Sequence, residues 1–383
     1  MKRNIIGLYM LILTSTLLVN TLYAQTHKAK VTDPGAQVLE IIRGVNDYWQ
    51  SANPVQDRAF WDPAAYHTGN MEVYFLTKEE RYLRYSEEWA EKNEWMGAKS
   101  PDKSQWKSTY GETDEHVLFG DWQICFQTYA DLYAINKDEK KIARAIEVME
   151  YEMSTSHHDY WWWADGLYMV MPVMTKLYRI TGNELYLEKL HEYFDYANSI
   201  MYDSKEKLYY RDAKYVYPKH TSANGKKDFW ARGDGWVFAG LAKVLKDLPK
   251  HDKHRKEYIA KFKGMAEAIL KSQQAEGYWT RSMLDSAHAP GPETSGTAFF
   301  TYGLLWGINN GYLKEKIYIP AVSKSWGYLT KTALQKDGKI GYVQPIGERA
   351  IPGQVVDKNS TANFGVGAFL LASCEMYRYV SKP

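Results

Sequence analysis

Apolar positions recur along the chain at helical spacing, and almost nowhere with the strict alternation of a strand. The 3.6-residue period is readable over 34–50, 70–94, 117–134, 138–154, 164–181, 183–202, 234–247, 252–274, 295–309, 316–334 and 361–380. Polar or glycine-containing breakers separate these stretches: "NKDE" from Asn136, "TGNE" from Thr181, "LPKHDK" from Leu248, "NNG" from Asn309 and "KDGK" from Lys336. Gly182 and Asn183 can close one helix and open the next. Pro249 stands just past "LAKVLKDL", where a helix should end. One region breaks the rhythm. "KEKLYYRDAKYVYP" followed by "TSANGKKDFW" predicts a small strand-like insertion near 205–230, with Asn224-Gly225 as its turn.

No Pro- or Ser-rich linker divides the chain. Helices in antiparallel pairs without a linker predict one all-α domain over 25–383, an (α/α)₆ barrel in which six helical hairpins close into a toroid. A solenoid and a pair of bundles are the alternatives, and the lack of a strict repeat counts against a solenoid.

The first residues read "MKRNIIGLYMLILTSTLLVNTLYAQ": a basic start at Lys2 and Arg3, a short apolar run, and a small residue at Ala24. This is the pattern of a signal peptide over 1–24, so export to the periplasm or the extracellular space is expected. The apolar run is too short and too interrupted for a retained anchor, and no later segment could span a bilayer. Removing residues 1–24 takes away Lys2 and Arg3 and no acid, so the formal net charge falls from +2 to 0. That balance gives no reason to expect a nucleic-acid partner. Cys125 and Cys374, the two cysteines, both lie in apolar helical patterns and are expected as buried thiols. No metal-ligand spacing, P-loop or dinucleotide fingerprint is present, so no metal and no cofactor are expected.

Aromatic residues change this otherwise ordinary picture. They make up 15% of the chain, with 14 Trp and 31 Tyr. Aromatic faces stack on the apolar faces of sugar rings, although large helical cores also consume them. Three stretches combine them with charge. In "WWWADGLYMVMP", Asp165 follows Trp161, Trp162 and Trp163 at a helix start. It reads either as a helix cap or as a partly desolvated general acid. In "GDWQICFQTYADLY", Asp121 again opens a helix beside an indole, with Gly120 leaving room for close approach. Two carboxyl groups facing one pocket are the logic of glycoside cleavage. In "FWARGDGWVFAGLAKVL", Trp230, Arg232 and Trp236 gather at a loop-to-helix junction. Arg232 could hold a substrate carboxylate or form a salt bridge to Asp234 or Asp228.

These stretches, with "PETSGTAFFTYGLLWGINNGYL", "GYVQPIG" and "GVGAFLLASCEMY", together resemble glycoside hydrolase families 88 and 105. These are the unsaturated glucuronyl and unsaturated rhamnogalacturonyl hydrolases. The resemblance covers nearly all of the chain after residue 24. It implies the (α/α)₆ barrel. It also implies a substrate with a C4=C5 unsaturated uronate at its non-reducing end, left by a polysaccharide lyase, with pectic rhamnogalacturonan and ulvan as sources. The implied reaction hydrates the double bond: an Asp protonates C4, water adds at C5, and the hemiketal collapses with loss of the glycosidic bond. By motif, the acid/base maps to Asp165 and its partner to Asp121. Substrate contacts map to Trp162, Trp163, Trp230, Arg232 and Trp236, and Arg211 of "YYRD" is the counterpart of a basic residue in the insertion. Asp234 departs from the Asn of the family pattern and would place a negative charge near an anionic substrate. An ordinary inverting glycosidase using the same two aspartates, and an inactive sugar-binding relative, stand as alternatives.

Overall fold

A computed structural model describes residues 33–382. The expected signal segment 1–24 lies outside the described residues. The helices run α1 Pro34–Ala52, α2 Trp61–Thr77, α3 Glu80–Lys92, α4 Gly120–Gln123, α5 Cys125–Ile135, α6 Lys140–Ser154, α7 Ala164–Thr181 and α8 Leu185–Met201. After a short hairpin come α9 Ala231–Asp247, α10 Arg255–Ser272, α11 Thr294–Asn309, α12 Glu315–Tyr328 and α13 Asn363–Val380. Ile124 joins α4 to α5 with helical backbone angles, so the two act as one broken helix. A π-helical turn, Leu329–Ala333, extends α12.

Packing sorts the helices into two rings. Helix α2 packs on α4/α5, which packs on α7, then α9, α11 and α13, and α13 returns to α2. Each inner helix also pairs with an outer one: α2 with α3, α5 with α6, α7 with α8, α9 with α10, α11 with α12, and α13 with α1. This is the predicted (α/α)₆ barrel. Ring membership follows from the amino acids. From Ala231 to Leu245 every residue of α9 is buried, whereas α3 buries Tyr82, Leu83, Ser86, Trp89 and Ala90 on one stripe. A helix apolar all round must be central, and one with a stripe must lie outside. Close approach needs small residues: a Cβ on Gly69 of α2 would stand 2.4 Å from the Gly367 carbonyl oxygen of α13.

Three sequence readings shift. The period over 70–94 belongs to two helices, split where Lys78 turns left-handed at φ 59°. The first half of α2 hides from a hydrophobic reading because its buried face is polar and internally satisfied. Asn70 donates to the Tyr82 carbonyl and to Ser86, and Thr68 bonds Tyr168. The strand-like insertion is present as a two-strand antiparallel hairpin, β1 Tyr202–Asp203 with β2 Leu208–Tyr209. Its turn lies between these strands. Asn224-Gly225 instead turns an irregular loop, closed by the Gly225 N–H on the Ser222 carbonyl and anchored by Asn224 on the Asp285 carboxylate. Cys125 and Cys374 are free and buried, as expected. No described helix is long and apolar enough to cross a membrane.

Candidate active site

The N-termini of the inner helices converge on one end of the toroid, and a cleft of about 520 Å³ opens there. Its wall is apolar from Phe60, Trp61, Tyr110, Trp162, Trp163, Met169 and Ile346. Its charged groups are Arg58, Asp62, Glu112, Asp121, Asp165, Arg211, Lys214 and Glu348. A shared local grammar builds it. Phe60, Phe119, Trp163 and Trp230 occupy the N-cap positions of α2, α4, α7 and α9, and the second helical residue of each is charged: Asp62, Asp121, Asp165 and Arg232. Three of these second residues, Asp62, Asp121 and Asp165, line the cleft. Neither Asp121 nor Asp165 acts as a side-chain cap.

Asp121 and Asp165 are only 6% and 8% exposed, and both line the cleft. Asp121 Oδ1 and Asp165 Oδ2 are buried with no hydrogen-bond partner. Burial pushes the Asp121 carboxyl well above the usual range. The nearby Asp165 charge adds to this and Arg211 opposes it. Burial also raises Asp165, with Arg211 and Arg232 pulling the other way. Two desolvated carboxyl groups that disfavour each other's charge form a proton-holding pair.

Trp163 slots between the two helix starts. Its ring stacks on Phe119 at 4.7 Å, and a Cβ on Gly120 or Gly166 would press on it at 3.1 or 3.2 Å. Trp162 lies beside it, centroids 4.7 Å apart, and turns its face to the cleft. Trp161 turns inward against Tyr193 and takes no part. The insertion supplies the base. The Ala164 N–H donates to the Arg211 carbonyl, and Trp163 bridges Asp212, so this segment is stitched alongside α7. Arg211 Nε stands 3.5 Å from Asp165 Oδ2, its Nη1 donates to Asp212 at 2.8 Å, and its guanidinium lies 5.8 Å from the Trp162 ring.

The expected contacts from α9 take a different role. Trp230, Arg232 and Trp236 do not line the cleft. Arg232 is 1% exposed and donates to the carbonyls of Gln344 at 2.6 Å and Pro345 at 2.9 Å, between the faces of Trp230 and Phe364. Neither Asp234 nor Asp228 pairs with it. Trp230 donates its indole N–H to Gln344, and Trp236 is packed against Tyr168 and Phe299. This cluster anchors the 344–348 loop, which brings Ile346 and Glu348 to the cleft. Asp234 does not line the cleft: it is fully buried, accepts the Tyr209 N–H at 2.8 Å, and burial pushes its carboxyl well above the usual range.

Sequence reasoning missed Arg58, Asp62, Tyr110, Glu112, Lys214 and the 346–348 loop. The aromatic-x-charge pattern at Phe60-Trp61-Asp62 would have found the α2 group. The others sit on aperiodic loops. Arg58 donates to Glu112 at 2.6 Å, and Glu348 is held by Tyr215 at 2.6 Å and Arg211 at 3.4 Å. Burial would raise Glu348, but Tyr215, Arg211 and Lys214 outweigh it and keep the carboxyl below its usual range.

The family model of Glycosyl Hydrolase Family 88 matches residues 37–380. The chain belongs to this family. As a family 88 glycoside hydrolase it is similar to the unsaturated 3S-rhamnoglycuronyl hydrolase of Formosa agariphila, with 33% identity over 343 residues, 86% of this chain and 88% of the other. Among solved structures it resembles a family 88 glycosyl hydrolase from Bacteroides vulgatus at 65% identity and TM-score 0.89, covering 90% of this chain and 99% of that one. A protein called a polysaccharide lyase is similar at 70% identity and TM-score 0.90, covering 91% of this chain and 99% of that one. The cleft of this family 88 chain is thus framed by two buried aspartates, the part-buried Arg211 and an indole wall.

Proposed function

We propose that this family 88 enzyme is exported and removes the C4=C5 unsaturated uronate from the non-reducing end of lyase-generated oligosaccharides, by hydrating the double bond. The linkage we infer is uronate to rhamnose, in line with the name of the Formosa relative. The observation that carries the reading is the buried, unpartnered oxygen on each of Asp121 and Asp165 in a cleft that also holds Arg211.

In this reading Trp162 and Trp163 take the flat face of the unsaturated ring, and Arg211 holds its carboxylate through donors now shared with Asp212. Burial favours the protonated form of Asp121, which lowers the negative charge in the path of an anionic substrate. The incoming carboxylate raises Asp165 further, because like charge favours the protonated form. Asp165 gives its proton to C4. Water adds at C5 and returns a proton to the Asp165 carboxylate, so the acid is restored. The C5 hemiketal opens to a ketone, the C1 hemiacetal collapses to an aldehyde, and the second sugar leaves with its bridging oxygen as a hydroxyl.

A second reading comes from the relative called a polysaccharide lyase. A lyase abstracts the C5 proton of an intact uronate and creates the double bond. That step needs a base, whereas burial holds both aspartates towards the acid form. One experiment separates the readings. The enzyme is given intact polysaccharides and lyase-generated oligosaccharides in heavy-oxygen water, with ultraviolet absorbance followed. Hydration erases the absorbance of the unsaturated ends and places the label on the former C5. A rise in absorbance on intact polymer would show a lyase. Label at C1 of the released sugar would show an ordinary inverting glycosidase.

A further inference from the structure

At the end of the barrel opposite the cleft, α8 and the start of α10 bring together three metal-ligating side chains. His191 comes from α8, His254 is the residue before α10, and Glu257 lies in the first turn of α10. One ligand atom from each lies within 4.8 Å of the others. The imidazole rings face each other with centroids 3.3 Å apart and planes inclined by 15°. His191 Nδ1 is buried and has no hydrogen-bond partner, and Glu257 Oε2 is 4.0 Å from it. A hollow of about 280 Å³ adjoins His254, lined also by Glu184, Glu188, His251 and Asp252.

We propose that His191, His254 and Glu257 form a binding site for a divalent transition-metal ion of the zinc type, completed by water from the hollow. Two imidazoles and one carboxylate are a nitrogen-rich set that suits zinc or its first-row neighbours. Calcium and magnesium prefer oxygen throughout. Glu184, Glu188 and Asp252 line the hollow against one lysine, Lys253, and give it a field that attracts a cation. Lys261 of α10 stands 3.5 Å over the Tyr202 ring. The ligands come from two outer helices, at 191 and at 254–257, so no short motif announces them. An ion there would clamp two hairpins of the barrel without touching the cleft.

The test uses the full mature chain without an affinity tag, stripped with a chelator and then dialysed against Zn²⁺. We expect one zinc per chain by elemental analysis, visible absorption bands of low-coordinate Co²⁺ on cobalt substitution, and a Tm raised by a few degrees at saturation. His254→Ala and Glu257→Gln should each weaken binding tenfold or more and abolish the Tm shift. Both residues lie far from the cleft, so turnover should stay unchanged. Zinc uptake equal in wild type and both variants, or Co²⁺ spectra of the free aquo ion, would overturn the site. Because the readouts are binding and Tm, the result is independent of the proposed reaction.

Discussion

Replacing Arg232 with methionine distinguishes a loop anchor from a substrate clamp. Methionine keeps most of the stem and removes the charge and its donors. Two charge-assisted bonds, to the carbonyls of Gln344 and Pro345, would be lost, at about 1.5–3 kcal/mol each. Two aromatic faces at 4.5 and 4.6 Å add about 1–2 kcal/mol together. Against this stands relief of a buried ion. Burial pulls the guanidinium down by more than two decades, to about 10. At about 1.4 kcal/mol for each tenfold, that is roughly 3 kcal/mol against the charged form. The balance is a net loss of about 1–5 kcal/mol. Unfolding entropy of about 2.1 cal/mol/K per residue over about 350 residues turns this into a Tm fall of roughly 1–7 °C. The assay is thermal unfolding beside steady-state kinetics on an unsaturated disaccharide. We expect the lower Tm with a loss in kcat/KM, because the loop carrying Ile346 and Glu348 is no longer pinned. A variant with wild-type Tm, unchanged kcat and a KM raised tenfold only for the anionic substrate would refute the anchor and restore the direct contact suggested by the motif.

Asp165→Asn should lower kcat by about 10²–10⁴-fold with the fold intact, and a variant with full turnover would leave Asp165 without its acid/base role. For Asp121 the folded carboxyl titrates above the unfolded one, near 3.9. The stability it contributes is therefore full below that value and is lost as pH rises through the folded value. Asp121→Asn should accordingly raise Tm at pH 7 while lowering activity, and the gain should shrink towards pH 4; a gain that grows on acidification would contradict the direction. Gly120→Ala places a methyl 2.9 Å from Val170 Cγ2 and 3.1 Å from the Trp163 ring. Such overpacking costs about 1–3 kcal/mol and should tilt Trp163 from the Asp121–Asp165 gap, measurable as a kcat/KM loss with unaltered far-ultraviolet circular dichroism.

Helical period and breakers showed an all-α chain of paired helices and favoured the barrel over a solenoid or two bundles, and the family resemblance pointed the same way. Ring membership came with the structure: α9 is buried throughout although it carries Arg232, Asp234 and Lys243, and the buried polar residues of α2 are satisfied by partners on other helices, Asn70 by Tyr82 and Thr68 by Tyr168. Local logic marked Asp121, Asp165, Trp162 and Trp163, since an aromatic N-cap with a carboxylate two residues on is a short-range pattern. The direction in which a side chain points from a loop is not short-range. Arg211 reaches Asp165 because the Ala164 N–H bonds the Arg211 carbonyl, 47 residues away in the chain (211 − 164 = 47). Arg232 turns from the cleft because carbonyls more than a hundred residues later accept its donors. Asp234, charged on paper, is pushed towards its neutral form because burial leaves it a single backbone N–H to answer. Residue type and spacing decided which groups the chain brings to the end of the barrel. Long-range hydrogen bonds and desolvation, which exist only once the ring has closed, decided which of them face the substrate and which carry charge.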